Sequence, residues 1–401
     1  ADIADGVIVD ASSGGSPFGG DLVLEASSGA ENVEVRTGTG ATSLLADSGS
    51  ATVDASTLLD RDLTLEGSST ITVDDLSTDL LAGATSGEVI VNTAAVAGSE
   101  DVDGNQTAAL DITAGSGRLK VDGDDSDDLN TDVVDITIDA SNLADGDVDE
   151  NDDGLIETAD ADLELLGDAE YVITNNTASS GDEVVVDASA LSASGDVTLE
   201  GSGNFNLINT TQDVTAPDLT GRLTVTTAED GSGDAIAVQA GSGELIVEAA
   251  DGSDVITVDA AARIDTEVDD ELGDGVNDAN DDFELTARGA GEVVFNGLLG
   301  DVDASGLSGD LTASIGTTAD ASFSEDVDIR LGSADATVNT NGSGVTLDAD
   351  AAGSSSRVTL NETGDVDVVN AGDGITIDAS GGYGGELTVS ASLASGDALD
   401  V

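Results

Sequence analysis

Val53-Asp54-Ala55-Ser56 is one copy of a phrase that decides how this chain is read. The same Val/Ile-Asp-Ala-Ser tetrapeptide occurs at Val9-Asp10-Ala11-Ser12, Ile138-Asp139-Ala140-Ser141, Val186-Asp187-Ala188-Ser189, Val302-Asp303-Ala304-Ser305 and Ile377-Asp378-Ala379-Ser380. Near-copies stand at Val258-Asp259-Ala260-Ala261 and Leu347-Asp348-Ala349-Asp350. Their Asp residues follow one another at intervals of 44, 85, 48, 72, 44, 45 and 30 residues, so a unit near 44 recurs with one doubled step. Fixed-period self-similarity is the mark of a repeat architecture.

Working outward, a second phrase follows the first: Asp62-Leu63-Thr64-Leu65-Glu66-Gly67, Asp196-Val197-Thr198-Leu199-Glu200-Gly201 and, more loosely, Asp21-Leu22-Val23-Leu24-Glu25. A third ends in Asn, as in Tyr171-Val172-Ile173-Thr174-Asn175 and Phe205-Asn206-Leu207-Ile208-Asn209. Each alternates aliphatic and polar residues over four to six positions and is bounded by Gly, Ser, Asp or Asn, which reads as short strands about ten residues apart. No stretch has helical spacing with a Gly or Pro stop. Short regular strands suit a sandwich or a solenoid, and the recurring phrase favours the solenoid, because stacked coils demand equivalent residues at equivalent places. The expected fold is therefore all-β: a parallel β-helix (β-solenoid) with acidic loop insertions and coils of about 20–30 residues. Small Ala and Ser after Asp suit a tight corner, where Asp and Ser side chains can bond nearby amides. The expectation is that all copies of the phrase stack along one edge. No strong linker is evident, so residues 1–401 are expected to form one elongated domain, with any internal division near residues 100–135.

The inventory restricts the chemistry. There are 84 Asp plus Glu against 9 Lys plus Arg, a formal charge of −75, and no His, Cys, Met or Trp. That excludes Ser-His-Asp and Cys-His catalysis, zinc fingers and disulfides. The acidic field repels nucleic acid, and no apolar run approaches the roughly 18 residues of a membrane helix. An enzyme is not expected: lyases on β-helices need a basic residue in an acidic cleft, and no carboxylate pair for glycoside hydrolysis stands out. Aromatic residues are 2% of the chain, and Tyr171, Phe205 and Phe295 are expected in the core rather than as sugar platforms. The start at Ala1, without a signal-like segment, reads as a processed mature form or an excerpt.

Two acidic insertions occupy like positions, residues 142–161 after the Ile138 phrase and 262–281 after the Val258 phrase. The first holds Asp149-Glu150-Asn151-Asp152-Asp153-Gly154-Leu155-Ile156-Glu157-Thr158-Ala159-Asp160, an Asp-x-Asn-x-Asp-Gly pattern with an acid at position twelve. Calcium takes six to eight oxygens, and Gly at position six permits the sharp turn, so Asp149, Asn151, Asp153, Glu157 and Asp160 are candidate ligands. This loop resembles the calcium loop of dockerins over these twelve residues only, without the flanking helices or the second loop, so cohesin binding does not carry over. The second insertion offers Asp269, Glu271, Asp274 and Asn277, and a third cluster offers Asp122, Asp124 and Asp128. A fourth, weaker one is Asp101-Val102-Asp103-Gly104-Asn105. The bland alternative for each is a hydrated acidic loop.

Gly233-Asp234-Ala235-Ile236, Gly252-Ser253-Asp254-Val255-Ile256 and Gly372-Asp373-Gly374-Ile375 resemble worn copies of the Gly-x-Asp-x-aliphatic nonapeptide of the RTX family. The overall bias resembles RTX-associated bacterial surface-layer proteins. That resemblance implies a calcium-binding parallel β-roll, export, and an extracellular or cell-surface location; the chain departs from the family in lacking the full Gly-Gly-x-Gly tandem, which puts the regular row of calcium sites in doubt. Repetition and composition together lead us to expect an exported structural protein, a surface layer or extracellular filament that self-assembles with calcium (Ca2+). The alternative is the stalk of a large calcium-dependent adhesin. The expected partners are further copies of the chain, as homopolymer or lattice, and cell-surface polysaccharide.

Overall fold

The computed structural model describes residues 7–12, 17–26, 32–58, 62–93, 109–123, 135–143, 161–167, 169–177, 183–191, 195–229, 231–260, 285–316 and 327–391. Every regular element among them is a strand, and every strand pairing within each unit is parallel. The chain groups into two compact units, Ala1–Gln212 and Asp213–Val401.

In the first unit one sheet contains Val7–Asp10, Asn32–Arg36, Ser50–Asp54, Thr70–Leu76, Val89–Thr93, Leu119–Gly123, Leu163–Gly167, Glu183–Leu191 and Asn204–Thr210. The other contains Leu22–Ala26, Thr42–Ala46, Leu63–Gly67, Leu80–Thr85, Ala109–Thr113, Asp135–Asp139, Glu170–Asn175 and Asp196–Gly201. In sequence the strands alternate between the sheets, so each coil passes once through each sheet before the next coil stacks on it. The second unit repeats the plan. Its first sheet runs from Leu223–Thr227 through Leu245–Ala249, Leu285–Gly289, Val302–Leu307, Val327–Arg330, Val345–Asp348 and Val366–Ala371 to Leu387–Ala391. Its second runs from Val214–Ala216 through Ala235–Ala240, Val255–Asp259, Glu292–Leu298, Leu311–Ile315, Ala336–Asn339 and Arg357–Asn361 to Thr376–Asp378. The expected parallel β-solenoid is what forms in each unit.

The period-two pattern places one aliphatic rank inward from each strand, as in the buried, half-buried alternation of Leu119–Gly123 and Leu311–Ile315. Inward residues stack in register along the coils: Val35, Val53, Val73 and Val91 in the first unit, and Val238, Val258, Phe295, Ala313, Val338 and Leu360 in the second. Tyr171, Phe205 and Phe295 are all fully buried, as their positions in the phrases led us to expect. The Tyr171 hydroxyl lies in the core and accepts from the Gly123 amide (3.0 Å), with the Leu166 carbonyl 2.7 Å away as its acceptor. Burying Tyr requires such partners.

Uninterrupted coils are short. Val33 pairs with Ala51, 18 residues on, and Ala51 with Ile71, 20 on; Val345 pairs with Val366, 21 on. The steps from Asp10 to Asp54 and from Asp303 to Asp348 therefore each span two coils. Asp10 pairs with Arg36 and Arg36 with Asp54, so a middle coil carries Arg where its neighbours carry Asp. Asp303, Arg330 and Asp348 repeat that arrangement in the second unit.

The Gly closing the second phrase is fixed by the neighbouring coil. Gly67 and Gly201 have φ of +113° and +109°, and a Cβ there would fall 2.1 Å from the carbonyl oxygens of Ala46 and Asn175. Only Gly tolerates both the conformation and the approach.

Candidate functional site

The Val/Ile-Asp-Ala-Ser phrase turns a corner. The aliphatic residue faces inward and Asp outward, at the end of a strand in Val7–Asp10, Ser50–Asp54, Asp135–Asp139 and Thr376–Asp378, within Glu183–Leu191, and at the start of Val302–Leu307. The following Ala fills the tight interior of the bend, fully buried at Ala55, Ala140, Ala188 and Ala304. In all six copies the Ser amide donates to the Asp Oδ1: Ser12 to Asp10 at 3.0 Å, Ser56 to Asp54 at 3.1 Å, Ser141 to Asp139 at 3.2 Å, Ser189 to Asp187 at 3.0 Å, and Ser305 to Asp303 and Ser380 to Asp378 each at 2.9 Å. The Ala amide meanwhile donates to the next coil, as Ala55 does to Asp74 O (2.8 Å) and Ala140 to Thr174 O (2.9 Å). Asx turns of this kind satisfy amides that the ladder leaves over.

The corners do not share one edge, which corrects the sequence expectation. In the first unit Asp10, Asp54 and Asp187 lie on the first sheet but Asp139 lies on the second. In the second unit Asp303 and Asp348 lie on the first sheet, Asp259 and Asp378 on the second. Each coil has two nearly equivalent halves, so one corner chemistry serves either turn.

Other carboxylates clip coil to coil. Asp162 accepts from the Val185 amide (2.9 Å), Asp213 from Ala237 (2.7 Å), Asp335 from Arg357 (2.8 Å) and Asp365 from Glu386 (3.0 Å). The most buried such staple is Asp254, within one of the RTX-like copies and 1% exposed. Its Oδ1 accepts from the Asp234 amide (3.0 Å), and its Oδ2 from the Asp251 amide (3.0 Å) and the Thr227 hydroxyl (2.5 Å). Thr227 Oγ1 in turn accepts from the Ala250 amide at 2.9 Å. The Gly-x-Asp spacing that resembles a calcium repeat here supplies an acceptor for backbone and hydroxyl donors.

Most of the described bases pair with acids. Arg330 lies 3.4 Å from Asp303 and 3.9 Å from Asp348; Arg118 and Lys120 both hold Glu164, at 2.8 and 2.6 Å. Arg357 pairs with Asp378. The hydrogen bond from its guanidinium, followed by those from the Ser380 hydroxyl and amide, holds the Asp378 carboxyl well below the usual carboxylate range. Acids also stack directly on acids: Asp54, with Arg36 on the coil before it, has Asp74 as its register partner on the coil after, about 4.8 Å away along the stack. Asn92 Nδ2 donates to Asp74 Oδ1 at 2.7 Å. A cleft of about 430 Å³ in the second unit is lined by Gly342, Gly344, Gly364, Asp365, Asp367, Glu386 and Thr388. Beside it, burial and then the charge of Asp365 push the Tyr383 phenol up. Such a cleft admits cations and repels anions.

Of the expected calcium ligands, Asp149, Asn151, Asp153, Glu157, Asp160, Asp124, Asp128, Asp269, Glu271, Asp274 and Asn277 lie outside the described residues, as does the Asp101–Asn105 cluster. Asp122 is described: it sits half-buried in Leu119–Gly123, in register with Asn92, and its carbonyl accepts from Thr93 Oγ1 at 3.2 Å. Each long insertion leaves a strand of the second sheet, Asp135–Asp139 or Val255–Asp259, and re-enters at one of the first, Leu163–Gly167 or Leu285–Gly289. No group of three or more acidic side chains placed to hold a metal occurs among the described residues.

Sequence reasoning missed that the strands Glu183–Leu191 and Asn204–Thr210 are shielded on both faces. Their outward residues Glu183, Val185, Asp187, Asn204, Asn206 and Ile208 are all buried, and Val185 and Ile208 form a small apolar cluster with Ala161. The available signal was the unbroken run Val184-Val185-Val186, since strands shielded on both faces lose the alternation. No family model, curated protein or solved structure matches this chain.

Proposed function

We propose that the chain is an exported structural protein that assembles with copies of itself into a surface layer or extracellular filament, with calcium as the assembling ion. The observation that supports this reading most is the outer surface of the stacked coils, where carboxylates recur in register on small polar ranks. Asp54 over Asp74 and the cleft of Asp365, Asp367 and Glu386 are examples. Like charges held in register repel within one chain and offer a ladder of oxygens to divalent cations shared between chains. The acidic loops, above all residues 149–160, are the first candidates for the ion. Millimolar calcium outside cells matches the weak affinity of extracellular calcium modules.

Electron microscopy of the full chain in about 10 mM calcium, a concentration that saturates millimolar sites, should show sheets or filaments that dissolve in chelator. Sodium chloride at equal ionic strength should not restore them, because it screens without coordinating. A chain that stays monomeric at high concentration in calcium sinks the reading.

A further inference from the structure

Asp187 differs from every other corner carboxylate. Asp10, Asp139 and Asp259 are exposed and Asp54, Asp303, Asp348 and Asp378 half-buried, whereas Asp187 is 0% exposed. Its Oδ1 serves the corner, accepting from the Ser189 amide (3.0 Å) and from Asn209 Nδ2 (3.3 Å). Its Oδ2 is buried and has no hydrogen-bond partner.

Among the described residues no base pairs with that oxygen. Asp187 points outward from Glu183–Leu191, on the face where Val185 and the neighbouring Asn206 and Ile208 are also shielded. On the preceding coil its register partner is Glu164, another carboxylate, which already engages both Arg118 and Lys120. The strand bulges at this point, between the Glu164 and Leu166 pairings. A buried carboxylate with one oxygen bare is strongly disfavoured, and a second carboxylate one coil away adds to that. No other corner of the chain bears this cost, although the corner hydrogen bond is the same in all six copies.

We propose that Asp187 Oδ2 is a direct ligand of a bound calcium ion on the shielded outer face of Glu183–Leu191 and Asn204–Thr210. A hard divalent cation accepts a single carboxylate oxygen and completes its set with neutral oxygens and water. Neutral side-chain oxygens on the same face of the adjacent strand are those of Asn206, diagonal to Asp187, and of Asn204 farther along. The site shares its ion with the assembly reading but none of its residues, and it lies apart from the acidic loops 142–161 and 262–281.

The test uses the full chain, stripped of metal with chelator and returned to 1 M sodium chloride. Calcium chloride is titrated into wild type and Asp187→Asn, with ions per chain counted by calorimetry and native mass spectrometry. Asn keeps an acceptor for Ser189 and places an amide at the bare position. The variant should bind one ion fewer and show a smaller calcium-induced rise in Tm, with its Tm in chelator no lower than wild type. An unchanged ion count and an unchanged rise overturn the proposal. Should the variant not fold, wild-type crystals grown in calcium decide: an anomalous peak about 2.3–2.6 Å from Asp187 Oδ2 is expected, and its absence overturns the site. Chelator-insensitive assembly would sink the assembly reading alone, and a missing peak this one alone.

Discussion

Replacing Asp254 by Ala should be among the most damaging single changes in the second unit. The carboxylate accepts from three donors, the amides of Asp234 and Asp251 and the Thr227 hydroxyl, in a place 1% exposed. Truncation leaves two amides without acceptors. Thr227 can turn its hydroxyl toward the Glu248 carbonyl at 3.5 Å, a poor substitute. Each stranded buried donor costs about 1–3 kcal/mol, and two of them with a weakened third give about 3–5 kcal/mol. At about 2–4 °C per kcal/mol for a unit of this size, the melting transition of the second unit should fall by about 10 °C. Asp254→Asn keeps Oδ1 for Asp234 but turns an amide toward Asp251 N, so roughly half the loss is expected. Circular dichroism melts at high salt read the magnitude, and hydrogen exchange reads the mechanism, since the amides of Asp234 and Asp251 should lose protection first. Normal protection of both amides in the Ala variant, or a loss below about 1 kcal/mol, would refute the staple.

Four further outcomes follow from the same geometry. Gly201→Ala meets Asn175 O and a φ of +109°, and should cost about 2–4 kcal/mol in urea unfolding, whereas Gly231→Ala, at φ +73° with nothing within 4 Å, should cost about 1. Tyr171→Phe strands the buried Gly123 amide and should lower stability by about 1–3 kcal/mol, with faster exchange at that amide. The folded-state pKa of Asp378 is depressed by Arg357, so its contribution is present above the unfolded carboxylate value and is lost only as pH falls through the lower folded value. An NMR titration should find the Asp378 midpoint below the ordinary carboxylate range, and Arg357→Gln should move it up toward that range. Tyr383 should ionise above the ordinary phenol value in a spectrophotometric titration, and Asp365→Asn should lower that midpoint.

The fold was legible because each coil must reuse the same few solutions. Alternation announced the strands, and Asp followed by Ala and Ser announced a corner whose bonds form as that chemistry demands. Coil length was harder to read. Arg36 and Arg330 replace Asp at the intermediate coils, so two coils looked like one unit of 44. The single edge was wrong because nothing in a tetrapeptide tells which half of a coil it ends. Asp254 looked like a calcium-repeat residue because Thr227, its buried partner, is 27 residues away in sequence and adjacent only once coils stack.

These contacts also change what the charge of −75 means. Within the described coils a large share of the Asp residues spend an oxygen on an amide: the corners on the amide two residues on, the strand-leading Asp162, Asp213, Asp335 and Asp365 on the neighbouring coil. A neutral acceptor such as Asn could fill those places with less repulsion, and at Asn175 it does, taking the Thr177 amide at 3.0 Å. Choosing Asp instead makes each such bond charge-assisted and stronger, at the cost of a field that only salt or bound cations relieve. Stability and ionic surroundings are thereby coupled through the corners themselves, before any ion enters a loop. The expectation from screening alone is that the coils hold together more firmly as ionic strength rises, and a melt series in sodium chloride that shows no rise in Tm would refute it.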